Sequence, residues 1–342
     1  MTMVNLDPRT YDLLRIVREH SPIGSIRLTD EMQRRGYSIQ DRTIRLTLSE
    51  LDEAGLTEKI PGRGRHLTEE GRRELERGDV TGRLNDVRER IATLTSQVTY
   101  DPADDIGDVV TVTATVDAAA VPDALERLEA LEATPIGPVP TDIEETDEGD
   151  VRLFVPSSIT LGGVLLMRGI QAPLQTGGLI QYDPTAAARD DDTGRDPRVV
   201  RYVDAINGEG SSMDVVSLLV EAGRTDITSV LRGEESTLIA DNRGFPILNL
   251  EETVDITAAT VERLGGVMDI RRPRESSTLP QGRPNFDLAS LTYAGAGELA
   301  VSLLFEDGLV EEWSSLADLR DRVSFCEPAA LRHEPAVVRA LK

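Results

Sequence analysis

A chain of 342 residues is long enough for two or three domains, while one cysteine and three histidines exclude a disulfide framework or a multi-thiolate metal centre. The net charge of −24 is uneven: residues 1–78 hold 14 Lys+Arg and 14 Asp+Glu, so the acidic excess falls on 79–342, and the N-terminal part alone tolerates nucleic acid electrostatically. No apolar run approaches the roughly 20 residues of a membrane span and residues 1–21 are charged rather than signal-like, so a soluble, cytoplasmic protein is expected. With only Lys59 and Lys342 as lysines, the arginine bias and acidic surface point to a cytoplasm of high salt.

Leu6, Leu13, Leu14, Ile16 and Val17 predict a helix over 6–20, ended by Ser21-Pro22, and a second helix runs from Ser25 to Arg35 and stops at Gly36. In SIQDRTIRLTLSELDEAGL (38–56), Ile44, Leu48 and Leu51 recur at the i, i+4, i+7 spacing that gives a helix one apolar stripe. Ser38 and Asp41 form a capping pattern at its start, and Gly55 closes it. The opposite surface carries Gln40, Arg42, Thr43, Arg45 and Thr47, donors of the kind that reach phosphates and base edges from a helix in the major groove. Two short strands then flank Pro61-Gly62-Arg63-Gly64, with Lys59, Arg63 and Arg65 expected along a phosphate backbone. Residues 1–78 therefore read as a winged helix-turn-helix that binds double-stranded DNA.

Thr68 is an N-cap candidate with Glu69 and Glu70 in the first turn, although Gly71 stands where a capping box wants Glu or Gln. Leu75, Leu84, Val87, Ile91 and Leu94 continue a helical period, interrupted at Gly78 and Gly82. Residues 79–97 thus form a connecting helix, either a dimer spacer or a linker packed on its own domain.

From Asp108 the period becomes two: VVTVTATVD is a strand, Val121 to Ala133 a helix and Asp150 to Val155 a strand, with DIEETDEGD (142–150) and DPTAAARDDDTGRDP (183–197) as acidic surface loops. The order then repeats. Ser236 to Ile270 again gives strand, helix, strand; SSITLGGVLLMRGI and GLIQY (157–182) match ASLTYAGAGELAVSLL and GLVEE (289–312), aligning Ser158-Ile-Thr with Ser290-Leu-Thr and Gly178-Leu-Ile with Gly308-Leu-Val. The fold class is α/β (α+β): the winged helix, then a regulatory domain over 98–328 built from two related lobes, roughly 98–182 and 236–328. A segment around 198–235, with a helix from Met213 to Glu221, joins the lobes, and 329–342 is a C-terminal tail.

No phosphate-binding loop, nucleophile elbow or spaced His/Cys set is present, so no catalytic residue, metal or cofactor is expected. Ser157, Ser158 and Thr160 precede an apolar helix with Arg168 further on, an arrangement that suits a carboxylate or serves as a simple N-cap. Gly177 and Gly178 sit in one of several Gly-rich turns, with Leu161-Gly-Gly163 and Gly265-Gly266, that could turn backbone N–H groups toward an anion or be plain turns. Ser211, Ser212, Thr228 and Ser229 add hydroxyls near helix starts, and Arg201 and Arg243 are the counter-charges, each also readable as an ordinary surface ion pair.

Several strings resemble NrpR, a family of archaeal repressors of nitrogen-assimilation genes. RGYSIQDRTIRLTLSELDEAGLTEK followed by GRGRHLTEEGRREL is similar to its winged-helix domain. TYDPADDIGDVV, SSITLGGVLLMRGI, TGGLIQY and DITSVLRGEESTLIADNRGFPILNLEE resemble its regulatory domain, in the same order. The resemblance implies a non-enzymatic homodimer that binds an inverted-repeat operator and is released by 2-oxoglutarate, a dicarboxylate effector, with no membrane partner. The chain departs from the pattern at Gly162, where the family has a more aspartate-like residue, at Leu174 to Thr176, and in the acidic insertion at 183–197. Two other readings stand beside it: the same architecture sensing a different small anion, or a non-DNA-binding adaptor or enzyme.

Overall fold

A computed structural model describes residues 8–37, 39–78, 80–147, 149–187, 194–207, 217–273, 275, 288–310 and 312–333. The chain divides into two compact units, residues 1–86 and 87–342.

In the first unit, α1 (Pro8–Glu19), α2 (Ser25–Arg34) and α3 (Asp41–Glu53) enclose a core of Leu13, Leu14, Ile16, Val17, Leu28, Met32, Ile44, Leu48 and Leu51. The apolar period of each helix is what turns one face inward. Gly36 and Gly55 take positive φ (88° and 75°) at the ends of α2 and α3, where a side chain would strain the backbone. β1 (Thr57–Ile60) and β2 (Gly64–Leu67) pair antiparallel as the wing, and Ile23 bridges Arg65 beside them. Helix α3 starts at Asp41 with Gln40 as an N-cap that makes no side-chain bond, later than the capping pattern suggests, and Ser38 lies outside the described residues. Thr68 does cap α4 (Glu69–Gly78), accepting from the Gly71 N–H at 3.0 Å. Gly71 replaces the capping-box acid because a Cβ there would collide with the Leu56 carbonyl.

The helix α5 (Val80–Gln97) runs through Gly82, which is no break. Within the second unit its residues Val87 and Ile91 are half-buried and Leu94 is buried; the side chain of Leu84 lies outside the described residues.

Beyond α5 the order is β3 (Asp108–Val116), α6 (Val121–Glu132), β4 (Asp142–Glu145), β5 (Val151–Pro156), α7 (Ile159–Met167), β6 (Leu174–Tyr182) and β7 (Val199–Asn207). There follow α8 (Thr228–Leu231), β8 (Ser236–Pro246), α9 (Leu250–Leu264), β9 (Val267–Arg271), β10 (Leu288–Ala294), α10 (Ala296–Glu306), β11 (Trp313–Ser314), β12 (Leu319–Asp321) and α11 (Pro328–Leu331). Residues 217–221 are helical, and the rest of the helix expected from Met213 lies outside the described residues. One antiparallel sheet is ordered β11-β3-β5-β4 with β12 also on β3, the other β7-β6-β8-β10-β9.

These orders are the same once β3, β4 and β5 are matched with β8, β9 and β10. Each has a split βαβ core flanked by a fourth strand. The fourth strand comes from the other half: β6, reached through α7, pairs with β8, and β11 and β12, reached through α10, pair with β3. The helices cross over too. Leu161 and Leu165 of α7 pack with Phe245, Leu291 and Tyr293 of the second sheet, while α10 lies on β3 and β5 of the first. Both crossing helices are buried on nearly every side, as a helix between two layers must be, and the Glu298 that α10 carries inward is hydrogen-bonded there.

Three sequence expectations change. Ser158 stands at the start of α7 but Ser290 lies inside β10, and Gly178 lies inside β6 but Gly308 precedes β11, so neither pair is structurally equivalent. Half of the acidic loop DIEETDEGD is β4, whose Asp142 and Glu144 hold Arg320 over the Phe154 ring (3.4 Å to its centre). Leu161-Gly-Gly163 is helix interior and Thr176-Gly-Gly178 strand interior, because these glycines answer to close packing rather than to turns. No described helix is long and apolar enough to cross a membrane.

Candidate functional site

In the winged helix, burial of Ile44, Leu48 and Leu51 turns Gln40, Arg42 and Arg45 outward, all exposed. Thr43 and Thr47 lie half-buried on the flanks. Arg45 pairs with Asp41 one turn earlier (2.6 Å) and donates to Ser25 Oγ (3.3 Å), yet its side chain remains 62% exposed. At the wing Lys59 and Arg63 are exposed. Arg65, expected along a phosphate backbone, is instead drawn inward: its Nε donates to Asp52 Oδ2 at 2.8 Å, and Asp52 also accepts from Thr57 Oγ1 at 2.6 Å. That carboxylate ties the end of α3 to both strands of the wing. Leu46, which the sequence reading passes over, is the exposed aliphatic on α3.

In the second unit, Asp241 and Arg243 lie two residues apart on β8 and so share a face of the strand. Both are almost wholly buried. Arg243 donates from Nε and Nη2 to the two Asp241 carboxylate oxygens, 3.2 Å each, from Nη2 to the Ser158 carbonyl (3.2 Å) and from Nη1 to the Ala172 carbonyl (3.5 Å). Burial pushes the Asp241 carboxyl above its usual range, while the neighbouring guanidinium pulls it back. Gly162 of α7 faces this guanidinium, and a Cβ there would collide with Nη1. The same opening leads to a cavity of about 330 Å³ whose polar lining is Arg88, Thr95, Gln171 and Arg243 and whose apolar lining includes Ile91, Leu166 and Leu174. One wall is α5. Next to it Gly163 lets α7 approach α5 so closely that a Cβ would meet Val98 and the Thr95 carbonyl.

The helix start read as a carboxylate site already holds a carboxylate of the chain's own. Glu298, from the first turn of α10, accepts from Ser157 Oγ (2.7 Å) and from the Ser158 N–H (3.0 and 3.1 Å to its two oxygens). Its carboxyl is pushed up to about 7 by burial, against the lowering effect of those hydrogen bonds. Thr160 is engaged as well, exchanging bonds with Val110 N–H and carbonyl at 3.0 and 3.1 Å.

Among the other expected effector residues, Gly177 is the cross-strand neighbour of Asp241, and Gly178 packs against the backbone of Asp204. Arg168 is exposed and paired with Asp101 (3.2 Å), and Arg201 is exposed and donates to Gln181 (2.7 Å). Thr228 donates to Glu306 (3.1 Å) and Ser229 to Asp226 (2.6 Å). Ser211 and Ser212 lie outside the described residues. The structure thus gathers Ser157, Ser158, Gly177 and Arg243 about one buried charge cluster and holds Arg168, Arg201, Thr228 and Ser229 in pairings of their own. Sequence reasoning missed Asp241, Glu298, Thr95 and Gln171, and noted Gly162 only as a departure from the family pattern within a Gly-rich stretch. The Asp-x-Arg spacing on a strand could have signalled the first.

A winged helix with outward arginines, joined to a two-lobed domain with a buried ion pair beside a cavity, is the arrangement of a transcriptional regulator. The profile described as NrpR regulatory domains NRD1 and 2 matches residues 84–302, and that of the ribonuclease R winged-helix domain matches 11–75. The chain belongs to the NrpR regulatory-domain family. It is 28% identical over 247 residues to the global nitrogen regulator NrpRI of Methanosarcina mazei, a match covering 70% of this chain and 73% of that one. It is 27% identical to the global nitrogen regulator NrpR of Methanococcus maripaludis (69% of this chain, 41% of that one) and 26% identical to that of Methanocaldococcus jannaschii (73% and 43%), so it spans about two-fifths of their length. The fold is similar to the crystal structure of a nitrogen repressor-like protein from Methanococcus jannaschii, with a TM-score of 0.55 and 20% identity over 71% of this chain and 98% of that one. The relatives are named as regulators, and this chain is a regulator rather than an enzyme.

Proposed function

We propose that the protein is a DNA-binding repressor of nitrogen-assimilation genes that acts as a homodimer on an inverted-repeat operator and is released by 2-oxoglutarate. The observation that carries this reading is the row of outward arginines on α3, on the one part of the chain free of acidic excess. Two recognition helices would enter successive major grooves about 34 Å apart. The high-salt character of the surface leaves base contacts a larger share of the affinity, since phosphate contacts lose about 0.9 log units each per decade of salt.

For the effector, the best-supported place is the cavity beside Arg243. Nη1 reaches it past Gly162, Arg88 and Gln171 supply further donors, and α5, through which the chain leaves the winged helix, forms a wall. A ligand there bears on α5 directly, and a coupling of about 1–3 kcal/mol would change operator affinity roughly 5- to 150-fold. The mostly apolar lining favours, as a second reading, a small carboxylate with an aliphatic body.

The test is a random-DNA selection with the full chain followed by gel shifts with and without 2-oxoglutarate, and calorimetry against a panel of small carboxylates. Arg45→Ala should weaken operator binding about 10-fold or more and leave the heat of effector binding unchanged. Unaltered affinity in that variant refutes the assignment of α3, and heat with another carboxylate but none with 2-oxoglutarate selects the second reading.

A further inference from the structure

Among the described residues of the winged helix, two large aliphatic side chains are strongly exposed, Ile26 (67%) and Leu46 (58%). Single exposed aliphatics are ordinary on protein surfaces. Leu46 differs in its place on α3. Leu46 stands two residues from Ile44 and two from Leu48, and at about 100° per residue this places it on the side of α3 opposite the buried stripe. Arg42 lies one turn before it and Ser49 one turn after, so Leu46 occupies the middle of the outward row. Its neighbour Arg45 is drawn back toward the helix start by Asp41 and toward Ser25, the residue before Ile26. The guanidinium therefore leaves Leu46 uncovered. The acidic residues Glu50 and Glu53 lie in the second half of the helix, so the end that carries Arg42, Arg45 and Leu46 is the one electrostatically fit to approach DNA.

In the major groove the apolar feature of a base pair is the C5 methyl of thymine, and aliphatic side chains are its complement. We infer that Leu46 reads the methyl group of a thymine in each operator half-site, making it a specificity-determining residue alongside the arginines. This rests on the reading of α3 as the recognition helix. The contact needs no ions and releases none, so its share of the discrimination persists at salt concentrations that weaken the arginine–phosphate contacts.

The experiment starts from the operator enriched by the full chain from random DNA and replaces each thymine in turn by deoxyuridine, which removes the methyl and keeps the hydrogen-bonding edge. One replacement per half-site should weaken binding about 4-fold, the value of burying one methyl-sized group. The same fold loss should appear at low and at high salt. Leu46→Ala, an exposed position whose thermal unfolding should match the parent, should bind the thymine and uracil operators equally. Sensitivity that persists in Leu46→Ala, or an enriched operator with no methyl-sensitive position, overturns the inference and leaves the DNA-binding reading intact. Failure to enrich any sequence overturns both.

Discussion

The guanidinium of Arg243 is held on three sides by Asp241, Ser158 and Ala172, and on the fourth by the bare Cα of Gly162. Truncating Arg243 would leave the buried Asp241 carboxyl without its partner, a change that costs about 3–5 kcal/mol and would confuse binding with folding. Gly162→Ala is the cleaner probe. The added methyl displaces Nη1, whose only bond is the 3.5 Å one to the Ala172 carbonyl, while Nε and Nη2 keep Asp241, and the better helix propensity of alanine, about 1 kcal/mol, offsets part of the cost. Calorimetry should register at least a 10-fold loss of effector affinity with thermal unfolding near that of the parent; unchanged affinity would place the ligand elsewhere. Glu298 makes a second prediction. Its carboxyl stands at about 7 when folded against an ordinary 4.5, so the native state holds this proton more tightly than the unfolded chain. Its contribution is complete below about pH 4.5 and is lost as pH rises through 7, on the order of 3 kcal/mol. In chemical denaturation between pH 5 and 8, Glu298→Gln should lack this component, its stability falling less with pH than the parent's. Parallel profiles would mean that Glu298 titrates normally.

At the scale of single elements, the wing and α4 are fastened to the end of α3 by two polar residues. Asp52 takes hydrogen bonds from both wing strands, and Thr68 donates to the Gly55 carbonyl at 2.6 Å while capping α4 through Gly71 N–H. Thr68→Ala should cost about 1 kcal/mol, lowering the melting temperature of the winged helix by roughly 4–8 °C in scanning calorimetry and leaving the larger unit unaffected. The elements of the winged helix were largely legible in advance, since Ile44, Leu48 and Leu51 have one face to bury and Gly36 and Gly55 mark where the helices end. What periodicity could not supply is the fate of the charged groups. Arg63 and Arg65 look alike in sequence, yet one is free at the tip and the other is bonded to Asp52, a residue 13 positions away.

Across the regulatory unit, the exchange of α7–β6 for α10–β11–β12 leaves neither sheet complete without the other half of the chain. The two lobes should therefore unfold together. Leu303→Ala in α10 removes a fully buried side chain from the layer over the first sheet, at a cost of about 2–5 kcal/mol. Hydrogen exchange should record lost protection in β8 and β10 of the second sheet as well as in β3 and β5. Loss confined to the first sheet would show that the lobes are thermodynamically separate.

The helices of the winged head, strands β3, β5, β8 and β9 with helices α6 and α9, the presence of two related lobes, the charge-balanced head and the outward arginines were legible in the sequence alone, because each follows from local periodicity or from summed charge. Tertiary structure decided which half completes which sheet, that Glu298 rather than a ligand occupies the start of α7, and that Gly162 opens onto Arg243. These depend on contacts between residues 54 (Tyr182–Ser236) to 213 (Asp108–Asp321) positions apart, and no short-range pattern of apolar and polar residues encodes a partner at that separation.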